Sequence, residues 1–348
     1  MSLSQPRCIK RVTALMEAGY HCIVYGYRRG LYDVNDFPKG IEVNVLGEIK
    51  NGDYKNNFKQ VYADVTSVYR LHRKNALYYA FGFMPSLFFA LKRVCFVYEC
   101  SDVFYAYPKF DKVRWLLKRM DKWLIGKSKV TVMTSGGFAE FFGVADRESV
   151  VVLPNKVSPR LKSLVRKRLS VSNCLSFGFV GSIRYQNVFR FVEVIGKEFP
   201  QHSFHFYGGG DKKTIERVEG LALDYPNVHY HGKFKSPEDL YRIYENLNIV
   251  VACYDNTSLN EQIAEPNKLY ESLFFCKPII VSPQTYLSRR VLGLGCGFVV
   301  DASEYNSIKD FIANLSIDQV NRISDIEFNT PLSEIVDSPA ELIGKVQS

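Results

Sequence analysis

Apolar runs of strand length alternate with helix-period segments along nearly the whole chain, the pattern of α/β units built on parallel sheets. In the first half the runs predict strands at 22–25, 41–45, 76–81, 95–99 and 130–134, with a short one at 150–153. Segments of 3.6-residue periodicity predict helices at 6–18, 54–74, 85–92, 111–125 and 136–142. Residues 154–172 are rich in Lys, Arg and Ser and hold no strand, so they read as a connection. The pattern then restarts with a strand at 176–180, a glycine turn at 181, a helix at 187–198, a strand at 203–207 and a second glycine turn at 208–210. A helix at 212–223 and a strand at 228–230 follow, and Ser236-Pro-Glu-Asp239, close to a capping box, predicts a helix over 237–246. Strands at 249–254, 278–281 and 297–300 and a helix near 305–315 complete the series. The division this implies is an N-terminal domain at 1–157, a linker at 158–172, a C-terminal domain at 173–325 and an unassigned tail at 326–348.

Composition narrows the class. A chain of 348 residues suits two domains of ordinary size, and 47% apolar with 23% charged residues is a globular balance. The longest apolar stretch, 76–91, is broken by Gly82 and Pro85 and is shorter than the ~20 residues a spanning helix needs. No signal-peptide pattern opens the sequence. Eight scattered cysteines without a Cys-x-x-Cys pair, several inside apolar runs, read as reduced core residues of a cytoplasmic protein. His202, His205, His229 and His231 alternate with strand residues and read as packing, so no metal and no cofactor is expected.

Charge is unevenly shared. Residues 1–170 hold 29 Lys and Arg against 14 Asp and Glu, a net of +15, whereas the other 178 hold 16 against 22. Such a half faces an anionic partner or is simply a solvated basic surface. No nucleic-acid-binding motif accompanies the charge, so the anionic partner considered is a membrane surface. Within this half, residues 112–125 interleave Trp115 and Trp123 with Lys112, Arg114, Lys118, Arg119 and Lys122. That segment suits a helix lying on an anionic leaflet; it equally suits a helix that packs its apolar face on the sheet and presents the basic one.

The chemistry concentrates in 263–278, Ile-Ala-Glu-Pro-Asn-Lys-Leu-Tyr-Glu-Ser-Leu-Phe-Phe-Cys-Lys-Pro, between two apolar strands. Pro266 suits the first turn of a helix, and Lys268 and Glu271, three apart, share one face near that end. A helix N-terminus carries unpaired N–H groups and partial positive charge, which favours phosphate. Lys268 adds a full charge, and Glu271 can accept two sugar hydroxyls. Gly181 permits close approach of backbone to a phosphate, and Arg184 offers a fixed fork of donors.

Pro266-Asn-Lys-Leu-Tyr-Glu271 followed by Cys276-Lys-Pro-Ile-Ile-Val281 resembles the donor-site signature of family-4, or group-1, glycosyltransferases. Phe179-Val-Gly-Ser-Ile-Arg184 and Tyr207-Gly-Gly-Gly210 resemble that family's two glycine turns, and Thr134-Ser135 and Pro154-Asn155 resemble the end of its acceptor domain and its hinge. The resemblance runs from Arg7 to about Leu315. It implies the GT-B arrangement, two Rossmann-like domains with parallel sheets facing across a cleft, and a retaining transfer of a sugar from a nucleotide-diphosphate donor. It also implies a polysaccharide or lipid-linked saccharide acceptor in surface-polysaccharide biosynthesis, with the enzyme cytoplasmic and peripheral on the inner membrane face. Donor contacts are expected from Gly181, Ser182, Arg184, Gly208, Gly209, Glu265, Asn267, Lys268 and Glu271, and acceptor chemistry from Glu99 and Asp102 in Tyr98-Glu-Cys-Ser-Asp102.

Two departures matter. The family opens with an apolar strand, whereas residues 1–7 resemble the loop after it, so the first strand is expected upstream of Met1. The family also carries Glu-x7-Glu, and counting back from Glu271 the first position is Ile263, with Glu261 and Glu265 off register. An inactive partner subunit and a nucleotide-sugar epimerase are the alternative functions. No Asp-x-Asp occurs, so leaving-group charge falls to Arg184, Lys268 and the helix end.

Overall fold

The computed structural model describes residue 3 and residues 5–28, 37–49, 54–73, 76–171 and 173–348. Residues 1, 2 and 4 of the opening loop, position 74 at the end of the second expected helix, and residue 172 of the expected linker lie outside these. The chain forms two units, Met1–Pro154 with Ser338–Ser348, and Asn155–Asp337.

In the first unit, α1 (Pro6–Glu17) precedes β1 (Ile23–Arg28) and β2 (Glu42–Glu48), and α2 (Tyr54–His72) precedes β3 (Tyr78–Phe81). Then come α3 (Phe83–Leu91), β4 (Phe96–Cys100), α4 (Arg114–Lys127), β5 (Val130–Met133), α5 (Gly136–Phe142) and β6 (Val150–Val152). All pair in parallel, in two sheets, β1-β2 and β3-β4-β5-β6. β4 and β5 are buried along their whole length, as strands covered on both faces must be.

The expected helix at 111–125 starts later. Residues Pro108–Val113 form a 3₁₀ segment, and α4 begins at Arg114. Its inner face carries buried Asp121, Leu124 and Ile125. Tyr98 on β4 donates to one Asp121 oxygen at 2.6 Å and Tyr105 to the other at 2.8 Å. Burial outweighs those two donors and raises the Asp121 carboxyl from the ordinary 3.8 to about 6.

In the second unit, β7 (Ser176–Ser182), α6 (Gln186–Glu198), β8 (Ser203–Gly209), α7 (Lys212–Asp224) and β9 (Val228–Tyr230) form the first half. The second half is α8 (Leu240–Glu245), β10 (Ile249–Ala252), α9 (Leu259–Ile263), α10 (Asn267–Phe275), β11 (Ile279–Val281), α11 (Tyr286–Leu294) and β12 (Gly297–Val299). The strand order is β12-β11-β10-β7-β8-β9, all parallel, so the winding reverses between β7 and β10. Alternate residues feed two cores: Phe177, Phe191, Phe204 and Phe206 on one face, Tyr244, Leu269, Tyr270 and Phe274 on the other. At the β8–β9 edge, His205 and His231 bond ring to ring at 3.0 Å and Tyr207 stacks on His231.

Several expectations need correction. α8 begins at Leu240, not 237, because the Asp239 carboxylate accepts from Lys235 N–H at 2.7 Å and closes a turn instead of capping a helix. Residues 158–171 of the expected linker are tied to the second unit. The Arg166 guanidinium donates to the carbonyls of Leu273 and Phe274 at the end of α10, and to those of Phe328 and Thr330. A cation there satisfies orphan carbonyls and meets the negative end of a helix dipole. Leu169 and Val171 N–H groups bond Ser324 and Asn321 of α13 (Ile317–Asn329). The 326–348 stretch is structured too. α12 (Tyr305–Asn314), α13 and α14 (Leu332–Ile335) belong to the second unit, and α15 (Ala340–Gln347) returns to the first, burying Leu342 and Val346 with Val97, Val130 and Val132.

Asp121 carries a testable pH dependence. The folded state keeps its proton up to about 6 while the unfolded chain loses it near 3.8, so this group's contribution to stability falls as pH rises through that window. The stability of the parent relative to Asp121→Asn is expected to drop by about 2–3 kcal/mol between pH 3.5 and 7, measured by urea unfolding at several pH values.

Candidate active site

The ends of β7 and β8 run in register, Gly181 opposite Gly208 and Ser182 opposite Gly209. Both Gly181 and Gly208 have positive φ, +144° and +141°. A Cβ on Gly208 would lie 1.7 Å from the Gly181 carbonyl oxygen, so no other residue fits. A Cβ on Gly181 would come within 3.4 Å of Lys268 Cε, which means the Lys268 side chain already lies along this backbone.

Lys268 comes from α10, which leaves the sheet after β10 on the other side of the reversal. Pro266 sits at the N-cap, one place before the first turn, and no side chain caps the helix. Its leading N–H groups are therefore open to an anion. Glu271, one turn in, is buried, and three donors converge on it: Lys268 Nζ and Tyr244 OH on Oε2, each at 2.6 Å, and Asn267 Nδ2 on Oε1 at 2.6 Å. Burial and the adjacent carboxylate push the Tyr244 phenol well above its usual range, so it stays a donor. A carboxylate has about four acceptor sites, and here three are used.

Gly181, Ser182, Gly208, Gly209, Asn267, Lys268 and Glu271 thus cluster where the sheet reverses, the place such folds bind ligands. Arg184 lies close by in sequence but is exposed, with its guanidinium over the Tyr185 ring and a 2.7 Å bond to the Tyr185 hydroxyl. Glu265 is occupied elsewhere: its Oε1 accepts from Tyr270 OH at 2.7 Å and from Arg290 Nε at 3.1 Å. Ile263 ends α9, whose N-terminus is closed by a Ser258–Glu261 capping box. In the first unit, Glu99 is fully buried, accepting from Tyr79 OH at 2.6 Å beside Arg7 and Arg11. That enclosure leaves Glu99 no exposed surface in this structure. Asp102 is exposed just beyond the carboxyl end of β4.

Sequence reasoning missed Tyr244, Tyr270 and Arg290. Tyr244 falls within the apolar stripe Leu240, Ile243, Tyr244 and Leu247, and a hydroxyl in such a stripe must find a buried partner.

The sequence pattern of the family described as Glycosyl transferases group 1 matches residues 175–318, the span that holds this cluster. By this match the second unit carries the pattern of a group 1 glycosyltransferase domain. The chain is also similar to the succinoglycan biosynthesis protein ExoL of Rhizobium meliloti, 21% identical over 352 residues, covering 92% of this chain and 86% of the other. Among solved structures, HepE of Anabaena, determined with UDP and glucose, superposes with a TM-score of 0.68 at 14% identity over 100% of this chain and 98% of its own. Sucrose-phosphate synthase of Thermosynechococcus elongatus gives 0.71 at 15% identity, over 97% and 90%. The fold is GT-B, with two Rossmann-like domains.

Two substitutions check the geometry. Gly208→Ala is expected to cost at least about 3 kcal/mol or to abolish folding, because backbone must move to admit the methyl. Tyr244→Phe is expected to cost about 1–3 kcal/mol by leaving the Glu271 carboxylate short of a donor. Urea unfolding monitored by far-UV circular dichroism reads both.

Proposed function

We propose that the second unit binds a nucleoside-diphosphate sugar and that the enzyme passes the sugar, with retention at the anomeric carbon, to a hydroxyl of a growing or lipid-linked surface polysaccharide. The observation that carries this reading is the Lys268–Glu271 pair lying against the Gly181 backbone at the open end of α10. The diphosphate then meets the N–H groups of α10, Lys268 and the close backbone at Gly181, Ser182, Gly208 and Gly209, with Arg184 swinging off Tyr185 to join. Lys268 turning to phosphate frees an Oε2 acceptor site on Glu271 for a ribose hydroxyl. Substrate binding thereby replaces one buried ion pair with two charge-assisted contacts, and no charge is left unpaired. As the glycosidic phosphate bond breaks, charge on the leaving diphosphate is held by Lys268, Arg184 and the helix dipole.

Asp102, exposed beyond β4, is the acidic group we assign to the acceptor hydroxyl in place of Glu99. The solved complex of HepE with UDP and glucose supports uridine as the first base to try, and the similarity to ExoL, a succinoglycan biosynthesis protein, supports polysaccharide assembly. One observation favours an inactive partner subunit: Ile263 stands where the family has its first glutamate, and Glu265 is tied to Tyr270 and Arg290.

Thermal shift of the full chain against UDP-, GDP- and ADP-sugars separates these readings. One donor is expected to raise Tm by several degrees at a hundredfold excess over Kd, and Lys268→Ala and Glu271→Ala, each referred to its own unliganded Tm, are expected to lose that rise. Donor consumed only with a saccharide acceptor present, beyond slow hydrolysis, supports transfer; conversion of donor alone indicates epimerisation. Silence across the panel from folded protein supports the inactive subunit.

A further inference from the structure

The outer face of α4 is unlike that of any ordinary surface helix. At 100° per residue, Trp115, Leu116, Arg119, Lys122, Trp123 and Lys127 all fall on one side of the axis, and exposed Lys112 precedes them in the 3₁₀ segment. Asp121, Leu124 and Ile125 fall on the other and are buried. Trp115 is 64% exposed, Leu116 45% and Trp123 41%. These are the chain's two tryptophans, and both are exposed, while Leu124 and Ile125 of the same helix face inward, so α4 packs one apolar face and leaves a mixed one outside. The orientation is fixed from behind, because Tyr98 and Tyr105 both hold Asp121. Lys112, Arg119, Lys122 and Lys127 have no acidic partner among the described residues, while Arg114 pairs with Asp111 and Lys118 covers the Phe141 ring.

We propose that α4 docks on an anionic bilayer, Trp115, Leu116 and Trp123 entering the headgroup region while Arg119, Lys122 and Lys112 meet lipid phosphates. The mixture on one face selects this occupant. Indole rings sit well at the boundary of headgroup and acyl chain, and long basic side chains lay their stems on apolar surface while their heads reach phosphate. Protein interfaces use Trp and Arg but deplete Lys at their centre. No helix of the described residues is long and apolar enough to cross a membrane, so the contact is lateral. The net +15 of residues 1–170 adds long-range attraction of the same sign. The proposal goes beyond the sugar-transfer reading and does not depend on it.

Because both tryptophans lie on this face, the intrinsic fluorescence of the unmodified full chain reports it directly. Titration with phosphatidylcholine vesicles containing phosphatidylglycerol is expected to shift emission to the blue and to carry the protein into the vesicle pellet. Phosphatidylcholine alone is expected to do neither, and added salt to weaken the effect. Arg119→Glu with Lys122→Glu, at exposed positions and checked for folding by circular dichroism, is expected to lower the apparent affinity at least about tenfold. No emission shift with the anionic vesicles at low salt would overturn the proposal. So would pelleting that the double variant leaves unchanged, or a concentration-dependent dimer in sedimentation velocity that shifts the emission without vesicles.

Discussion

Two opposite charges buried side by side, Lys268 and Glu271, are the constraint around which the second unit is arranged. Neither can sit in an apolar interior alone, and deleting one partner of such a pair costs about 3–5 kcal/mol. The carboxylate therefore recruits Tyr244 from α8 and Asn267 from its own helix, which fixes the rotation of α10. The lysine stem needs a surface without a Cβ, and Gly181 supplies it. The turn that Gly181 makes places its carbonyl against the next strand, and that in turn requires Gly208. One ion pair thus links two helices and two strand ends, and the same pair is poised to be broken by phosphate.

Much of this was legible in the sequence because it depends on short-range spacing. Lys268 and Glu271 lie three apart behind a proline, and the glycines follow apolar strands, so both the helix and the turns could be placed from local rules. What escaped was set by residues distant in sequence. Tyr244 is 27 positions from the carboxylate it serves, and its neighbours made it look like one more core aromatic. Arg166 reads as part of a basic, solvated linker until the carbonyls at the ends of α10 and α13 are seen around it. Glu99 lies near the carboxyl end of a strand, as a catalytic acid would, yet the arginines of α1 close over it. α13 had a readable start in Ser316-Ile-Asp-Gln319, a capping box. Where α15 belongs had no local signature, since only burial of Leu342 and Val346 against strands two hundred residues earlier places it.

The helix α4 shows the limit of pattern reading from the other side. A segment with two tryptophans and five basic residues has an apolar set and a basic set, and the natural assumption is that they occupy opposite faces. Asp121 decides otherwise. A carboxylate that two tyrosines hold inside the unit turns the helix so that tryptophans and lysines emerge together.

The split of the first unit into two sheets bears on how copies of this protein behave in solution. Among the described residues, the strands arranged as β1-β2 and β3-β4-β5-β6 end in four sheet borders, where those of the second unit end in two. A border strand offers a ladder of main-chain donors and acceptors to another molecule. β3, Tyr-Tyr-Ala-Phe, has no charge of its own to discourage such pairing. Its protection is collective: the positive surplus of the first 170 residues keeps like molecules apart at low ionic strength. That protection is screened by salt. Colloidal stability and sheet architecture are therefore coupled in this chain, and the half that carries the surplus is the half with the most borders to guard.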